Sequence, residues 1–162
     1  MSVNRAKEHL KKYGLDKRLV EVTSSTATVE LAAEAIGCIP ARIAKTMSFK
    51  LAERTFLIVT AGDAKIDNGK YKRQFGGKAK MLAFDEVEEK IGHGVGGVCP
   101  FGVNEGVEVY LDISLQRFTT VFPACGSENS LIELAIEELA QASGYRDWVD
   151  VCKGWNEDEN MV

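Results

Sequence analysis

The sequence predicts a mixed α+β fold, and three observations carry that reading. Segments with helical spacing and segments with strand character are intermixed along the chain, with no repeat or linker between them. Thr55-Phe56-Leu57-Ile58-Val59-Thr60 is a nearly continuous apolar run, as expected of a central strand. Just before it, residues 44–50 alternate from side to side, the pattern of a second strand. The chain of 162 residues fits one domain spanning 1–162, and its 45% apolar content is enough for a sizeable core without disulfides or metal.

The elements follow in order. Val3, Ala6, Leu10 and Tyr13 recur at helical spacing, and Gly14 can end that helix. Leu19-Val20-Glu21-Val22 reads as a short strand. Ser24, Ser25 and Thr26 offer N-cap hydroxyls to a second helix through Val29, Leu31, Ala32, Ala35 and Ile36, stopped by Gly37. Pro40 can open a short helical turn at Ala41-Arg42-Ile43. In the strand 44–50, Lys45, Met47 and Phe49 share one face, and Ala44, Thr46, Ser48 and Lys50 the other. After the apolar strand, Gly62-Asp63 punctuates the chain, 67–75 reads as a basic helix or helical turn, and Ala79 to Ala83 as another short strand. Asp85 is placed to cap a helix through Val87 and Ile91, which Gly92 ends. Val107 to Leu111 is a strand followed by Asp112. Val121-Phe122 and Leu131 to Leu134 are shorter strands separated by Cys125-Gly126-Ser127. The last helix covers about 135–143, Trp148, Val149 and Val151 dock the tail, and Asn156 to Val162 is polar and expected to fray.

Composition narrows the function classes. The net charge of −4 rules out coating nucleic acid by bulk charge. Yet Lys65, Lys70, Lys72, Arg73, Lys78 and Lys80 cluster within sixteen residues, while acidic residues gather at 85–89, 133–138 and 157–159. This is either one basic face on an acidic body or an ordinary solvated helix surface. No apolar run is long enough for a transmembrane helix and the start lacks a signal-peptide core, so no membrane association and a cytoplasmic location are expected. Cys38, Cys99, Cys125 and Cys152 form no CxxC pair, and His9 and His93 form no metal motif. Reduced, packed thiols and no metal or cofactor are the expectation.

Two features could carry chemistry. Met47 and Phe49 mark their strand face as buried, so Lys45 points inward with them and needs a partner or a cavity, unless it snorkels to water from the strand's end. The second feature is the loop Gly92-His93-Gly94-Val95-Gly96-Gly97-Val98-Cys99-Pro100-Phe101-Gly102. Bare backbone N–H groups there could hold a phosphate, a carboxylate or an ester carbonyl, or the loop could be a structural turn. It matches neither a P-loop nor a dinucleotide fingerprint in its proper context. No Ser-His-Asp arrangement is visible. A Cys99 nucleophile with His93 as base is conceivable because both lie in the loop. Asp63 and Asp112 each follow a strand, where they could order water, bind a hydroxyl or cap a turn.

The order of these features resembles a known family. Ala41-Arg42-Ile43-Ala44-Lys45-Thr46-Met47-Ser48-Phe49 is similar to the lysine-bearing strand of the YbaK-type aminoacyl-tRNA deacylases. Gly62-Asp63, the loop Gly96-Gly97-Val98-Cys99-Pro100-Phe101-Gly102, Tyr110-Leu111-Asp112, Gly126 and Glu137-Glu138-Leu139 follow in the family's order, over about residues 25–145. The resemblance implies a barrel-like mixed sheet with flanking helices, the fold of the prolyl-tRNA synthetase-associated domain. It also implies hydrolysis of the ester of a mischarged tRNA, such as tRNA(Pro) bearing alanine or cysteine.

Carried over by residue, it places Lys45, Gly97, Cys99 and Pro100 in the catalytic site. Thr46, Gly96, Val98, Gly102, Asp112 and Gly126 would contact substrate. The implied partners are the aminoacyl-tRNA acceptor end and prolyl-tRNA synthetase, with the protein a monomer or homodimer. The nucleophile would be water or, for cysteine, the substrate's own thiol. Cys99 and Ala124 depart from the family's usual residues, which bears on amino-acid specificity. Two other readings remain: a non-catalytic module of the same fold that binds aminoacyl-tRNA or a synthetase, and a hydrolase dependent on Cys99.

Overall fold

A computed structural model describes residues 2–155. In chain order the elements are α1 (Ser2–Lys11), β1 (Val20–Glu21), α2 (Val29–Ile36), β2 (Ile43–Leu51), β3 (Arg54–Ala61), β4 (Lys65–Ile66), α3 (Asn68–Phe75), α4 (Phe84–Ile91), β5 (Glu108–Asp112), β6 (Thr120–Pro123), β7 (Ser130–Leu131), β8 (Leu134–Ala135), α5 (Ile136–Ser143), β9 (Asp147–Val149) and β10 (Cys152–Lys153). Six strands form a curled, half-barrel sheet in the order β8-β6-β2-β3-β5-β9, so the barrel-like α+β expectation is met. β2 and β3 are antiparallel, with Lys45 opposite Thr60 and Phe49 opposite Phe56. β6, β5 and β9 join their neighbours β2, β3 and β5 in parallel.

β3 lies near the middle of this sheet because it has almost nothing polar to show water. Phe56, Leu57, Ile58 and Val59 are all fully buried, on both faces. One face is closed by an aromatic cluster in which α3 lays Tyr71 and Phe75 over Phe49 and Phe56, with ring centroids 4.8–6.4 Å apart. The alternation in β2 is therefore not one buried face against one open face. Ala44 and Ser48 are as inaccessible as Phe49, because the curled sheet is covered on both sides.

Local chemistry explains where the elements begin and end, and corrects several sequence expectations. The cap of α2 is Thr28, whose hydroxyl accepts the Leu31 N–H at 3.1 Å, rather than the hydroxyls at 24–26. Asp85 lies inside α4. The Glu86 carboxylate instead reaches back to the Ala83 N–H at 2.9 Å, and Glu138 does the same for Ala135 ahead of α5. Residues 79–83 form only a bridge, Met81 opposite Phe49. The expected strand 131–134 breaks into β7 and β8, which pair with different partners, β1 and β6. Trp148 and Val149 do more than dock the tail: β9 extends the main sheet. The fraying expected at 156–162 lies outside the described residues. Among the described residues, no helix is long and apolar enough to cross a membrane.

Candidate functional site

The site opens where β2 lacks a neighbour. On the edge away from β3, β2 pairs with β6 only at Ile43 and Ala44. Farther along, the 80–82 segment covers that edge: the Leu82 N–H donates to the Ser48 carbonyl at 3.2 Å and the Lys50 N–H to the Lys80 carbonyl at 2.9 Å. Between these pairings, among the described residues, no strand covers the edge at Lys45, Thr46 and Met47. A cavity of about 470 Å³ lies against this gap. β2 supplies its floor from Ile43 to Ser48. One wall is the start of α2, with Thr26, Thr28, Val29 and Ala32. The opposite wall is Met81, Leu82, Phe84 and Val87. Val95, Gly96 and Val98 of the glycine loop close it from above, beside Ala124 and Leu131.

Lys45 is half-buried and lines this cavity. Burial lowers the pKa of its amine, and the nearby Cys152, Asp63 and Glu30 only partly offset that effect. Among the described residues the Lys45 amine makes no hydrogen bond and no ion pair. The nearby Asp63 is instead ion-paired with Arg117, whose two terminal nitrogens reach its carboxylate oxygens at 2.6 and 3.0 Å. A desolvated cation without a partner, at the edge of a cavity, is suited to meeting an anionic or oxyanionic ligand. Next to it, the Thr46 hydroxyl oxygen is buried without a hydrogen-bond partner. Thr26 is already engaged through its hydroxyl, which donates to the Glu128 carbonyl at 2.7 Å.

The glycine loop divides into two halves. Gly96, at φ +93°, and Val98 face the cavity, and among the described residues their N–H groups donate to no protein acceptor. Gly97 does not act this way. Its N–H closes a turn onto the Gly94 carbonyl at 3.0 Å, and a Cβ there would meet the Ser127 backbone nitrogen at 2.5 Å. It is glycine so that the loop can seat on the turn at Gly126.

Beyond residue 98 the loop turns into the core. Cys99 and Phe101 are fully buried and Pro100 is buried with them. Burial pushes the Cys99 thiol up to about 12. Its Sγ lies 3.5 Å from His93 Nε2, but that nitrogen is 2.6 Å from the Phe101 carbonyl, which can only accept. The His93 proton is therefore on Nε2, and that atom cannot act as a base for the thiol. Burial also holds His93 toward its neutral form. Cys99 and His93 are packed in the core and neither lines the cavity.

The other residues carried over from the resemblance fall outside the cavity lining. Asp112 is fully buried and uses both oxygens on backbone, accepting the Ser114 and Val151 N–H groups at 2.9 Å each. It ties the turn after β5 to the segment before β10. Gly102, at φ +71°, lets the Arg5 carbonyl approach to 2.6 Å from where its Cβ would be. Gly126, at φ +92°, forms the seat for Gly97. The cavity thus gathers Lys45, Thr46, Gly96 and Val98 and leaves Gly97, Cys99, Pro100, Gly102, Asp112 and Gly126 in its supports. Sequence reasoning missed the α2 wall and the Met81–Phe84 lip. Phe84 shares helical spacing with Val87 and Ile91, so periodicity alone files it with the core. Among the described residues no group of three or more His, Cys, Asp and Glu side chains is placed to hold a metal ion.

Comparison with known proteins gives one consistent result. Residues 23–142 match the family model of the aminoacyl-tRNA editing domain. The chain is 52% identical over 156 residues to the uncharacterized protein YwhH of Bacillus subtilis, covering 96% of this chain and 99% of that protein. It is 29% identical over 113 residues to the proline–tRNA ligase of Bacillus cytotoxicus, covering 69% of this chain but only 18% of the ligase. Among solved structures, a candidate trans-editing enzyme for prolyl tRNA synthetase superposes with a TM-score of 0.85 at 30% identity, covering 94% of this chain and 98% of that one.

Proposed function

The chain belongs to the aminoacyl-tRNA editing-domain family, and from that premise we propose that it is an aminoacyl-tRNA deacylase, hydrolysing the ester that joins a wrong amino acid to tRNA. The observation that carries this reading is a shared cavity of about 470 Å³ lined by Lys45, whose amine has no partner among the described residues, and by Gly96 and Val98, whose backbone N–H groups donate to no acceptor among them. An ester carbonyl seated under the loop would place its oxygen toward those two N–H groups, which oppose the charge that develops on it during attack. Lys45 supplies a positive charge in a partly dry setting, where it acts more strongly than in water. Water is the nucleophile, or the side-chain thiol when the amino acid is cysteine, so no enzyme nucleophile is needed. The burial of Cys99 fits that chemistry.

Alanine or cysteine on tRNA(Pro) is the proposed substrate. The cavity lining includes the small side chains Ala27, Ala32, Ala44 and Ala124, and the unpaired Thr46 hydroxyl, which leaves room for a small amino acid. The likeness to part of a proline–tRNA ligase and to a candidate trans-editing enzyme supports the same assignment. The partners proposed are the aminoacyl-tRNA acceptor end and prolyl-tRNA synthetase. The test is a deacylation panel of Ala-, Cys-, Ser- and Thr-charged tRNAs. Turnover of Ala- or Cys-tRNA(Pro) well above spontaneous hydrolysis is the expected result. No turnover of any member, with tRNA binding retained, would instead make this a non-catalytic module of the same fold.

A further inference from the structure

The mouth of the cavity carries apolar surface that the fold does not use. Phe84 is 80% exposed, Met81 53% and Val95 44%, and all three line the cavity opening. They are half of the large exposed apolar side chains among the described residues, gathered at one place. Scattered exposed apolar residues need no explanation, but a contiguous lip around a pocket does.

Phe84 is held rigidly although its ring is free. It is the first residue of α4, directly after Ala83, whose N–H is capped by the Glu86 carboxylate at 2.9 Å. The same carboxylate takes the Lys50 ammonium at 2.8 Å, tying the start of α4 to β2. On the other side, the Lys80 carbonyl and the Leu82 N–H fix the preceding segment to β2. The ring is thus presented on a braced backbone, facing solvent beside the cavity. Immediately before Met81 stand Lys78 and Lys80, both exposed and, among the described residues, without an ion pair. On α4 itself the exposed charged side chains are Asp85, Glu88 and Glu89 with Lys90 at the far end, so the first turn beside Phe84 is acidic and an anionic chain crossing the lip is directed toward Lys78 and Lys80.

We infer that Phe84, with Met81 and Val95 at its flanks, is a stacking platform for the unpaired bases at the 3′ end of the substrate's nucleic acid, with Lys78 and Lys80 taking the adjoining phosphates. This deepens, and rests on, the deacylase reading: an ester delivered to Lys45 arrives attached to a terminal nucleoside that must lie at this mouth. An exposed aromatic face beside unpaired cations is how proteins hold single-stranded nucleic acid without reading its sequence. Phe84 is a binding residue and touches no reacting atom.

The experiment uses a 5′-fluorescein-labelled, uncharged acceptor-stem RNA with its unpaired 3′ end, titrated by anisotropy. In parallel, KM and kcat are measured on the mischarged tRNA turned over best. Phe84→Ala is expected to weaken RNA binding about tenfold and to raise KM by a similar factor with kcat unchanged. Phe84→Trp should restore both, and Lys78→Gln with Lys80→Gln should flatten the salt dependence of binding. The melting temperature should not move, because the side chain is exposed. The proposal is overturned if Phe84→Ala binds and turns over like the parent, if Phe84→Trp is as impaired as Phe84→Ala, or if the parent binds no RNA. Hydrolysis that persists with no Phe84 effect removes only this inference. Phe84-dependent binding without hydrolysis removes only the deacylase reading.

Discussion

The two ends of β2 do opposite jobs with the same strand geometry. At Phe49 the strand is shut in: β3 pairs one edge, the 80–82 segment covers the other, and Phe49 stacks with Phe56 and Tyr71 at centroid distances of 5.9 and 5.3 Å. Four residues earlier, on the same face, Lys45 has the β3 partner but, among the described residues, no strand on its other edge. There a cavity replaces the packing, and the side chain is a cation rather than a ring. The lesson is that the site is made by withholding a strand neighbour from an otherwise complete sheet. The closed end supplies stability and thereby holds the open end in shape.

Mutations at the two ends should separate those roles. The largest effect is expected from Phe49→Ala, which removes a ring that is 1% exposed and should cost about 3–5 kcal/mol of unfolding free energy, read by urea denaturation. Activity per folded molecule should change little, and a large loss there would mean the two ends are not separable. Lys45→Ala should behave in the reverse way, losing about 10²-fold or more in kcat on a mischarged tRNA while the denaturation midpoint stays or rises.

A finer test is Thr46→Val. The hydroxyl it removes is buried without a partner, so stability should hold or increase while turnover drops by about a factor of ten. If stability fell instead, the hydroxyl would have a structural partner after all. Cys99→Ala should cost about 1 kcal/mol of stability through lost packing and leave turnover unchanged, and thiol alkylation of the native protein should also leave it unchanged. The smallest signal concerns protonation. Because burial disfavours the charged amine, NMR titration of Lys45 should place its pKa below the usual lysine range, and denaturation should move it up into that range. In the interval between, the unfolded chain holds the proton more tightly than the folded one, so this residue's contribution makes the protein more stable as pH rises through that window.

Much of the scaffold was legible because it follows local rules. The nearly continuous apolar run 55–60 reads as an interior strand and is one, whereas the alternation around Met47 and Phe49 does not separate a covered face from an open one, because Ala44 and Ser48 on the other face are buried as well. The glycine loop was recognisable from composition but not divisible by it. Gly96 faces the cavity and Gly97 faces the turn at 126–127, and the two are neighbours of the same type. Only the packing partner separates them. Asp112 illustrates the same limit, since a carboxylate after a strand can bind a ligand or hold backbone, and here two N–H groups claim it. Phe84 lies on the helical face of Val87 and Ile91 yet is 80% exposed, because the core that face covers ends at the cavity before reaching it. The strands β7, β8 and β9, of two or three residues each, are set by distant partners and have too few residues to carry a periodicity of their own.

The most direct measurement is backbone amide NMR mapping with a non-hydrolysable alanyl-adenosine analogue in which an amide replaces the ester. The predicted result is that perturbed amides centre on Thr46, Gly96 and Val98, and that Lys45→Ala weakens the binding. Perturbations that avoid these residues and collect elsewhere on the surface would contradict the assignment of the open edge of β2 as the substrate site.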